Sequence, residues 1–336
     1  MTKVGILGVG IYLPENKITG EEISAMTQGQ WTPDAVIDKL GIKSKNIPGK
    51  DDGTQEMGAK AALDAIQNAQ LDPMEIDVIL CIGEEWKEYP LTTSALYIQQ
   101  KIGAWNAWGI DVANRCCTTV SAMKIAKDML LADEDIHTIL IAGGYRNGDL
   151  VDYTDNHMSM MFNLGTGGGA IILRKGLDKN LLLGAHIISD GSLARTAGVE
   201  IGGTEKPLTK DNFNTGNKLR LMDAKKMKDR LNEVSMANWY QCIDRSLEKS
   251  NLTRKDITYL AILHMKRSGH NQILEELGLS HDNTIYLEDY GHIGQIDQIL
   301  SLKLGIEQEK IKTGDVVCMV AAGIGYTWAA NIIQWG

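Results

Sequence analysis

Cysteine is sparse, and its pattern builds no crosslinks. The five cysteines (Cys81, Cys116, Cys117, Cys242 and Cys318) are odd in number, and no two stand as C-x-x-C. This argues against a disulfide framework or a thiolate zinc site and favours a reducing compartment. No apolar run approaches the ~20 residues of a membrane span. The apolar start, Met1 to Leu7, runs on into Pro14 and is expected to be a first strand, not a secretion signal. The expected location is the cytoplasm. Positive charge is not in excess either. A formal net charge of −9 argues against general nucleic-acid binding and against binding to anionic membranes. Phenylalanine occurs only twice, against 14 Met and 7 Trp, so other apolar side chains must fill the core.

The chain does have alternation. Strand-like runs at 78–82, 138–142, 169–173, 259–263 and 316–320 are interleaved with helix-like stretches such as 59–70 and 239–250. This predicts an α/β fold with covered sheets. The run from Leu71 to Ile82 also matches the run from Leu252 to Leu263 without a gap, at a constant offset of 181 residues. Each follows an amphipathic helix and ends in a strand. A repeat of such long period predicts two similar halves, 1–176 and 177–336. Reactive groups in such architectures collect at strand ends where the halves meet.

The segment Asp111-Val112-Ala113-Asn114-Arg115-Cys116-Cys117-Thr118-Thr119 stands out chemically. A short run of small and apolar residues ends in cysteine, and an amphipathic stretch follows at once. Unpaired amides and the positive end of a helix stabilise a thiolate at such a junction, and the thiolate is the nucleophilic form. The plain alternative is a buried structural cysteine, the commoner fate of an intracellular thiol.

Three further segments accompany Cys116: His264 at a strand end, Tyr290-Gly291-His292-Ile293-Gly294, and Gly323-Ile324-Gly325-Tyr326-Thr327-Trp328. With these the chain resembles the thiolase-type condensing enzymes, most closely β-ketoacyl-acyl-carrier-protein synthase III, over nearly its whole length. The resemblance implies a duplicated thiolase-like fold with αβαβα layers. It implies Cys116 as the acyl nucleophile, His264 as a catalytic imidazole, and the Cys116 and Gly325 amides as the oxyanion hole. Leu164 to Ala170 resembles the family's glycine-rich turn. Trp31 and the run from Lys39 to Lys43 resemble its coenzyme A contacts. The chemistry implied is acylation of Cys116 by a thioester, then a Claisen condensation, as in fatty acid or polyketide biosynthesis. Acyl-CoA would be a substrate and no cofactor or metal would be needed.

Two positions depart from the pattern. The family's third catalytic residue is usually Asn, and here the slot holds His292, as in the Cys-His-His set of elongating synthases. Both histidines are then expected to serve the second half-reaction more than the first. The run from Gly83 to Tyr89 resembles hydroxymethylglutaryl-CoA synthases, which implies Glu85 as an acid/base for an aldol-type addition. Its plain reading is a solvated acidic turn. Acyl transfer to an oxygen or nitrogen acceptor, and a silent partner subunit, are further alternatives.

Other signals are weaker. Gly8-Val9-Gly10 lacks the third glycine of a dinucleotide fingerprint. His264 and His270 lack partners at metal-ligand spacing, and His270 is expected at the surface. Cys117 is expected to be inert. The basic run 218–230, or Lys266 with Arg267, is a candidate docking patch for an acidic carrier protein. The resemblance further implies a homodimer in which the 85–89 loop, with Trp86 and Tyr89, helps to close an acyl pocket.

Overall fold

The computed structural model describes residues 2–336. One mixed sheet runs through the molecule. Its strands are β1 (Val4–Tyr12), β4 (Val78–Cys81), β5 (Trp108–Asp111), β6 (Thr138–Tyr145), β7 (Gly167–Lys175), β8 (Leu181–Ser189), β11 (Tyr259–Ile262), β12 (Val316–Gly323) and β13 (Thr327–Gln334). Two short ribbons lie outside it: β2 (Lys17–Thr19) with β3 (Ser44–Asn46), and β9 (Ala197–Val199) with β10 (Leu219–Leu221). The α-helices are α1 (Gly20–Met26), α2 (Thr54–Ala69), α3 (Ser94–Ile102), α4 (Thr118–Ala132), α5 (Ala224–Glu248), α6 (Arg267–Leu277) and α7 (Asp297–Glu307).

The sheet order is β11-β12-β13-β8-β1-β7-β6-β4-β5. Reading outward from the centre, β1-β7-β6-β4 repeats as β8-β13-β12-β11. Each series has two antiparallel steps followed by one parallel step. The two series join between β1 and β8, where Gly5 faces Leu181. The strands matched by the sequence repeat, β4 and β11, occupy equivalent places, and each follows a 3₁₀ turn (Pro73–Glu75 and Arg254–Asp256). Only β5 has no counterpart. It is an edge strand whose Trp108 and Ile110 are exposed.

Small residues set the spacing between layers. A Cβ at Gly10 would lie 2.2 Å from the Ala61 carbonyl oxygen, and one at Gly168 would lie 2.2 Å from that of Met57. Glycine strands and the alanine-rich α2 therefore approach closer than any side chain permits. On α4 the whole first turn and a half is buried, Thr118 to Met123, and on α7 the same holds from Asp297 to Leu302. Helices buried all round belong to an inner layer, and Cys116 and His292 lie in the turns that lead into these two.

Carboxylates fix the connecting loops. Asp111 accepts from the Ser94 and Ala95 amides at 2.9 and 2.8 Å, capping α3. Glu88 accepts from the Gln55 and Glu56 amides and so ties the 83–93 loop to the start of α2.

Candidate active site

Cys116 lies in a 3₁₀ turn, Arg115–Cys117, that leads directly into α4. The Thr118 hydroxyl braces the turn: it accepts from the Asn114 amide at 2.8 Å and donates to the Arg115 carbonyl at 2.6 Å. Asn114 donates to Ser121 Oγ at 2.7 Å. Arg115 is held at φ +51°, an uncommon conformation for a side-chain-bearing residue. The end of β12 seals the other side. A Cβ at Gly323 would sit 2.9 Å from the Asn114 oxygen and 3.1 Å from the Cys116 nitrogen.

The neighbouring thiol is a different case. Cys117 is fully buried, its Sγ donates to the Thr327 carbonyl at 3.0 Å, and burial pushes its pKa well above the usual thiol range. Burial likewise pushes Cys81, Cys242 and Cys318 up to about 12. Cys117 is thus a packed, hydrogen-bonded thiol.

His292 faces Cys116, with Nε2 3.1 Å from its Sγ. Its other nitrogen, Nδ1–H, donates to Asp297 Oδ2 at 2.6 Å. Asp297 has no exposed surface and is fully engaged, accepting also from the Ile293 amide at 2.6 Å and the His264 amide at 2.7 Å. Burial works to lower the His292 pKa, but the Asp297 carboxylate and Cys116 outweigh it and hold the pKa well above the ordinary value.

His264 sits at the end of β11, as its sequence position suggested. Its surroundings differ from those of His292. The Gly41 carbonyl lies 2.9 Å from Nε2 and can only accept, so Nε2 carries the proton. Nδ1 is then a lone pair, and the Asn163 amide donates to it at 2.9 Å. Burial depresses the His264 pKa to about 4, leaving a neutral ring with both nitrogens in use.

Cys116, His264, His292 and Gly325 all line one cleft of about 1280 Å³. Gly325 forms the tip of the β12–β13 hairpin at φ +124°. The remaining candidates scatter. Lys266 lines the cleft, whereas Arg267 pairs with Glu288 and stacks over Tyr286, with its guanidinium 4.5 Å from the ring centre. Trp31 and Lys39 are outside the lining, although the Trp31 indole donates at 2.8 Å to Asn156, in the turn whose Met158 and Met161 wall the cleft. Tyr89 is exposed at the loop tip.

Glu85 reaches the rim, but 74% of its side chain is exposed, against 6% for Glu84. Arg115 pairs with both carboxylates at 3.0 Å. Burial, opposed by Arg115, raises the Glu84 pKa. His270 is not at the surface as expected. It is buried, its ring meets Tyr286 edge-on at 5.0 Å, and neither ring nitrogen has a partner. The amphipathic α6 turns that position inward. Among the described residues there is no cluster of His, Cys, Asp or Glu able to hold a metal, and no helix long and apolar enough to cross a membrane.

Sequence reasoning missed Asp297, Asn163 and Glu84. Asp297 was the most legible of these, because a carboxylate five residues after a histidine, at a helix start, can reach back to the ring.

Fold and site together define a thiolase-like α/β protein with a cysteine and two histidines in one cleft. The sequence model described as 3-oxoacyl-[acyl-carrier-protein] synthase III matches residues 110–191, and its C-terminal companion matches 247–335. The β-ketoacyl-[acyl-carrier-protein] synthase III of Azobacteroides pseudotrichonymphae is 28% identical over 98% of this chain and 97% of its own. That of Staphylococcus aureus strain Newman is 29% identical over 99% of each. In structure, 3-oxoacyl-[acyl-carrier-protein] synthase III of Aquifex aeolicus superposes with a TM-score of 0.84 at 22% identity, covering 100% of both chains. OleA of Xanthomonas campestris superposes at 0.83 and 17% identity over 99% of this chain and 98% of its own. At those identities the shared property is the fold. The chain belongs to the 3-oxoacyl-acyl-carrier-protein synthase III family of condensing enzymes.

Proposed function

We propose that the protein is an acyltransferase in which Cys116 takes an acyl group from a thioester, and that a carbon nucleophile then extends the acyl-enzyme. The observation that carries this reading is the contact of Cys116 Sγ with His292 Nε2 at 3.1 Å, inside a cleft large enough for an acyl chain and a second substrate. The His292 imidazolium stabilises the Cys116 thiolate, which attacks the thioester carbonyl. The Cys116 and Gly325 amides receive the oxyanion, and the thiol of the donor departs. His264 stands at the position of the family's catalytic imidazole, and the acid/base role of Glu85 is the least supported, given its exposure. Acyl-CoA and acyl-carrier-protein are the proposed substrates, with Trp31, Lys39, Lys266 and Arg267 as contacts of the carrier group and Tyr89 beside the acyl pocket. No cofactor enters this chemistry.

The halves proposed from the sequence, 1–176 and 177–336, supply the nucleophile and the histidines respectively. A homodimer is proposed from the exposed edge strand β5 and the adjoining exposed Trp105, Trp108 and Ile110. Intact-mass measurement after brief exposure to acyl-CoA mixtures tests the reading. One acyl adduct is expected, mapping to Cys116. An adduct on Cys117 alone, or one retained in Cys116→Ala, overturns it.

A further inference from the structure

β4 and β6 are parallel neighbours, with Cys81 beside Ala142, so their C-terminal ends open on the same side of the sheet. What those ends carry into the cleft is polar. Glu84 follows β4, Tyr145 closes β6 and Asn147 comes just after it, and all three line the cleft with Cys116. Glu84 is only 6% exposed. Arg115 donates to one of its oxygens, Oε2, at 3.0 Å. Burial raises the Glu84 pKa, and Arg115 and then the Asn147 side chain oppose it, so the Asn147 amide adjoins the carboxylate. Asn147 Oδ1 is buried and has no hydrogen-bond partner among the described residues. This polar patch stands beside the reacting atoms. Arg115 immediately precedes Cys116, and the Tyr145 ring centre is 6.2 Å from that of His292. Elsewhere the lining turns apolar, with Leu150, Met158 and Met161.

A plain hydrocarbon chain laid against this patch strips water from a carboxylate and an amide and returns no hydrogen bond. A hydroxyl returns both halves of the exchange. Its O–H donates to Glu84 or to Asn147 Oδ1, and its oxygen accepts from an Arg115 N–H. A carboxylate on the acyl group is rejected, because Glu84 and Glu85 set two negative charges against the single Arg115 guanidinium. We propose that the acyl groups taken up by Cys116 carry a hydroxyl a few bonds from the thioester carbonyl, as 3-hydroxyacyl groups do, and that Glu84 and Asn147 select them. The inference deepens the reading of Cys116 as the acylated nucleophile and rests on it. The hydroxyl sits against the Glu84–Asn147 patch, and the rest of the chain lies along the methionine-lined part of the cleft.

The experiment mixes the full chain with equal amounts of 3-hydroxyhexanoyl-CoA and hexanoyl-CoA and reads the two adducts by intact mass at early times. The ratio of adducts reports selection, because any general slowing affects both donors alike. The hydroxyacyl adduct is expected to form about tenfold faster or more, the scale of one hydrogen bond to a charged group. Asn147→Leu keeps the Glu84–Arg115 pair and is expected to bring the ratio to about one or below. Glu84→Gln is expected to lower the ratio as well, beyond its effect on the rate. Succinyl-CoA is expected to be the slowest donor, and if it outruns 3-hydroxyhexanoyl-CoA the patch reads an anion and the inference is overturned. If the wild type takes both six-carbon donors equally, or prefers hexanoyl-CoA, with the adduct on Cys116, the inference is overturned and the acyltransferase reading stands. A hydroxyacyl preference that survives both substitutions overturns the selection by Glu84 and Asn147. If no donor leaves an adduct on Cys116, both readings fall.

Discussion

His264 and His292 line the same cleft, come from the same half of the chain and are both buried, yet their chemistry is opposite. His264 has only neutral groups on its ring, and burial drives its pKa to about 4. His292 has Asp297 at 2.6 Å and a thiol at 3.1 Å, and its pKa is raised despite equal burial. Desolvation acts on both, and a counter-charge on only one decides which ring can carry a proton. The contrast bears on the expectation that both histidines serve chiefly the second half-reaction. His292 contacts the Cys116 thiol with no acyl group in place. The most damaging way to break the comparison is therefore to remove its charged member. His292→Ala is expected to slow both acylation and overall turnover by ~10²–10⁴-fold. His264→Ala is expected to spare acylation relative to turnover. Stopped-flow release of CoA against steady-state product formation separates the two.

The neutral ring can be attacked through its support. Lys45 is fully buried, and its Nζ lies 2.7 Å from the Phe162 carbonyl, the Leu164 carbonyl and the Tyr153 hydroxyl. It thus grips both neighbours of Asn163, the residue that holds His264. Burial lowers its pKa to about 7. Either protonation state can be satisfied there, since a neutral amine donates to the two carbonyls and accepts from Tyr153. Lys45→Met would strand buried acceptors, each costing about 1–3 kcal/mol. A loss of about 3–5 kcal/mol is expected in urea unfolding, with the larger kinetic defect in the step that needs His264. Unchanged stability would mean that the 153–164 wall holds itself.

What the sequence disclosed and what it hid follow from separation along the chain. The strand runs, the duplicated helix–turn–strand unit and the cysteine at a helix start are local patterns, and each maps onto an observed element. β4 and β11 even take equivalent places in the sheet. The bonds that decide the site are long-range. Asn163 meets His264, Gly41 meets His264, and Lys45 reaches Phe162 and Leu164. No spacing rule announces these contacts. His270 was misplaced for the related reason that a polar residue on an amphipathic helix defaults to the solvent side. The packing of α6 against Tyr286 overrides that default.

Acid titration sharpens the same comparison with opposite signs. For His264 the folded pKa lies near 4 and the unfolded value near 6.5. Between those limits the unfolded chain takes up a proton that the native ring refuses, so stability falls as pH drops. The loss attributable to His264 is of order 2–3 kcal/mol by pH 4.5. For His292 the folded pKa is raised, so its contribution is fully present below about 6.5 and is lost as pH rises through the folded value. Urea midpoints at pH 4.5, 6.5 and 8 check both slopes. His264→Gln is expected to flatten the acid limb and leave the alkaline limb alone. If the wild-type acid limb is already flat, the native ring is binding its proton above pH 4.5.

Glu84 and Glu85 form the smallest-scale version of this contrast, two adjacent carboxylates sharing Arg115. The exposed member gains little, because an ion pair in solvent is worth about 0–1 kcal/mol. For the buried member, burial raises the pKa and Arg115 is the main group opposing it; Arg115 immediately precedes Cys116, and its strained backbone shapes the turn. Glu85→Gln is expected to leave Cys116 acylation, turnover and stability within ~0.5 kcal/mol of wild type. Glu84→Gln frees Arg115 to move and is expected to slow acylation by about tenfold, since small shifts of a reacting group are costly. The measurement is the acylation rate of both variants at one pH, with unfolding midpoints as control. If instead Glu85→Gln abolishes carbon–carbon bond formation while sparing acylation, the exposed carboxylate swings inward during the reaction. The aldol-type reading implied by the Gly83–Tyr89 resemblance would then replace the Claisen one.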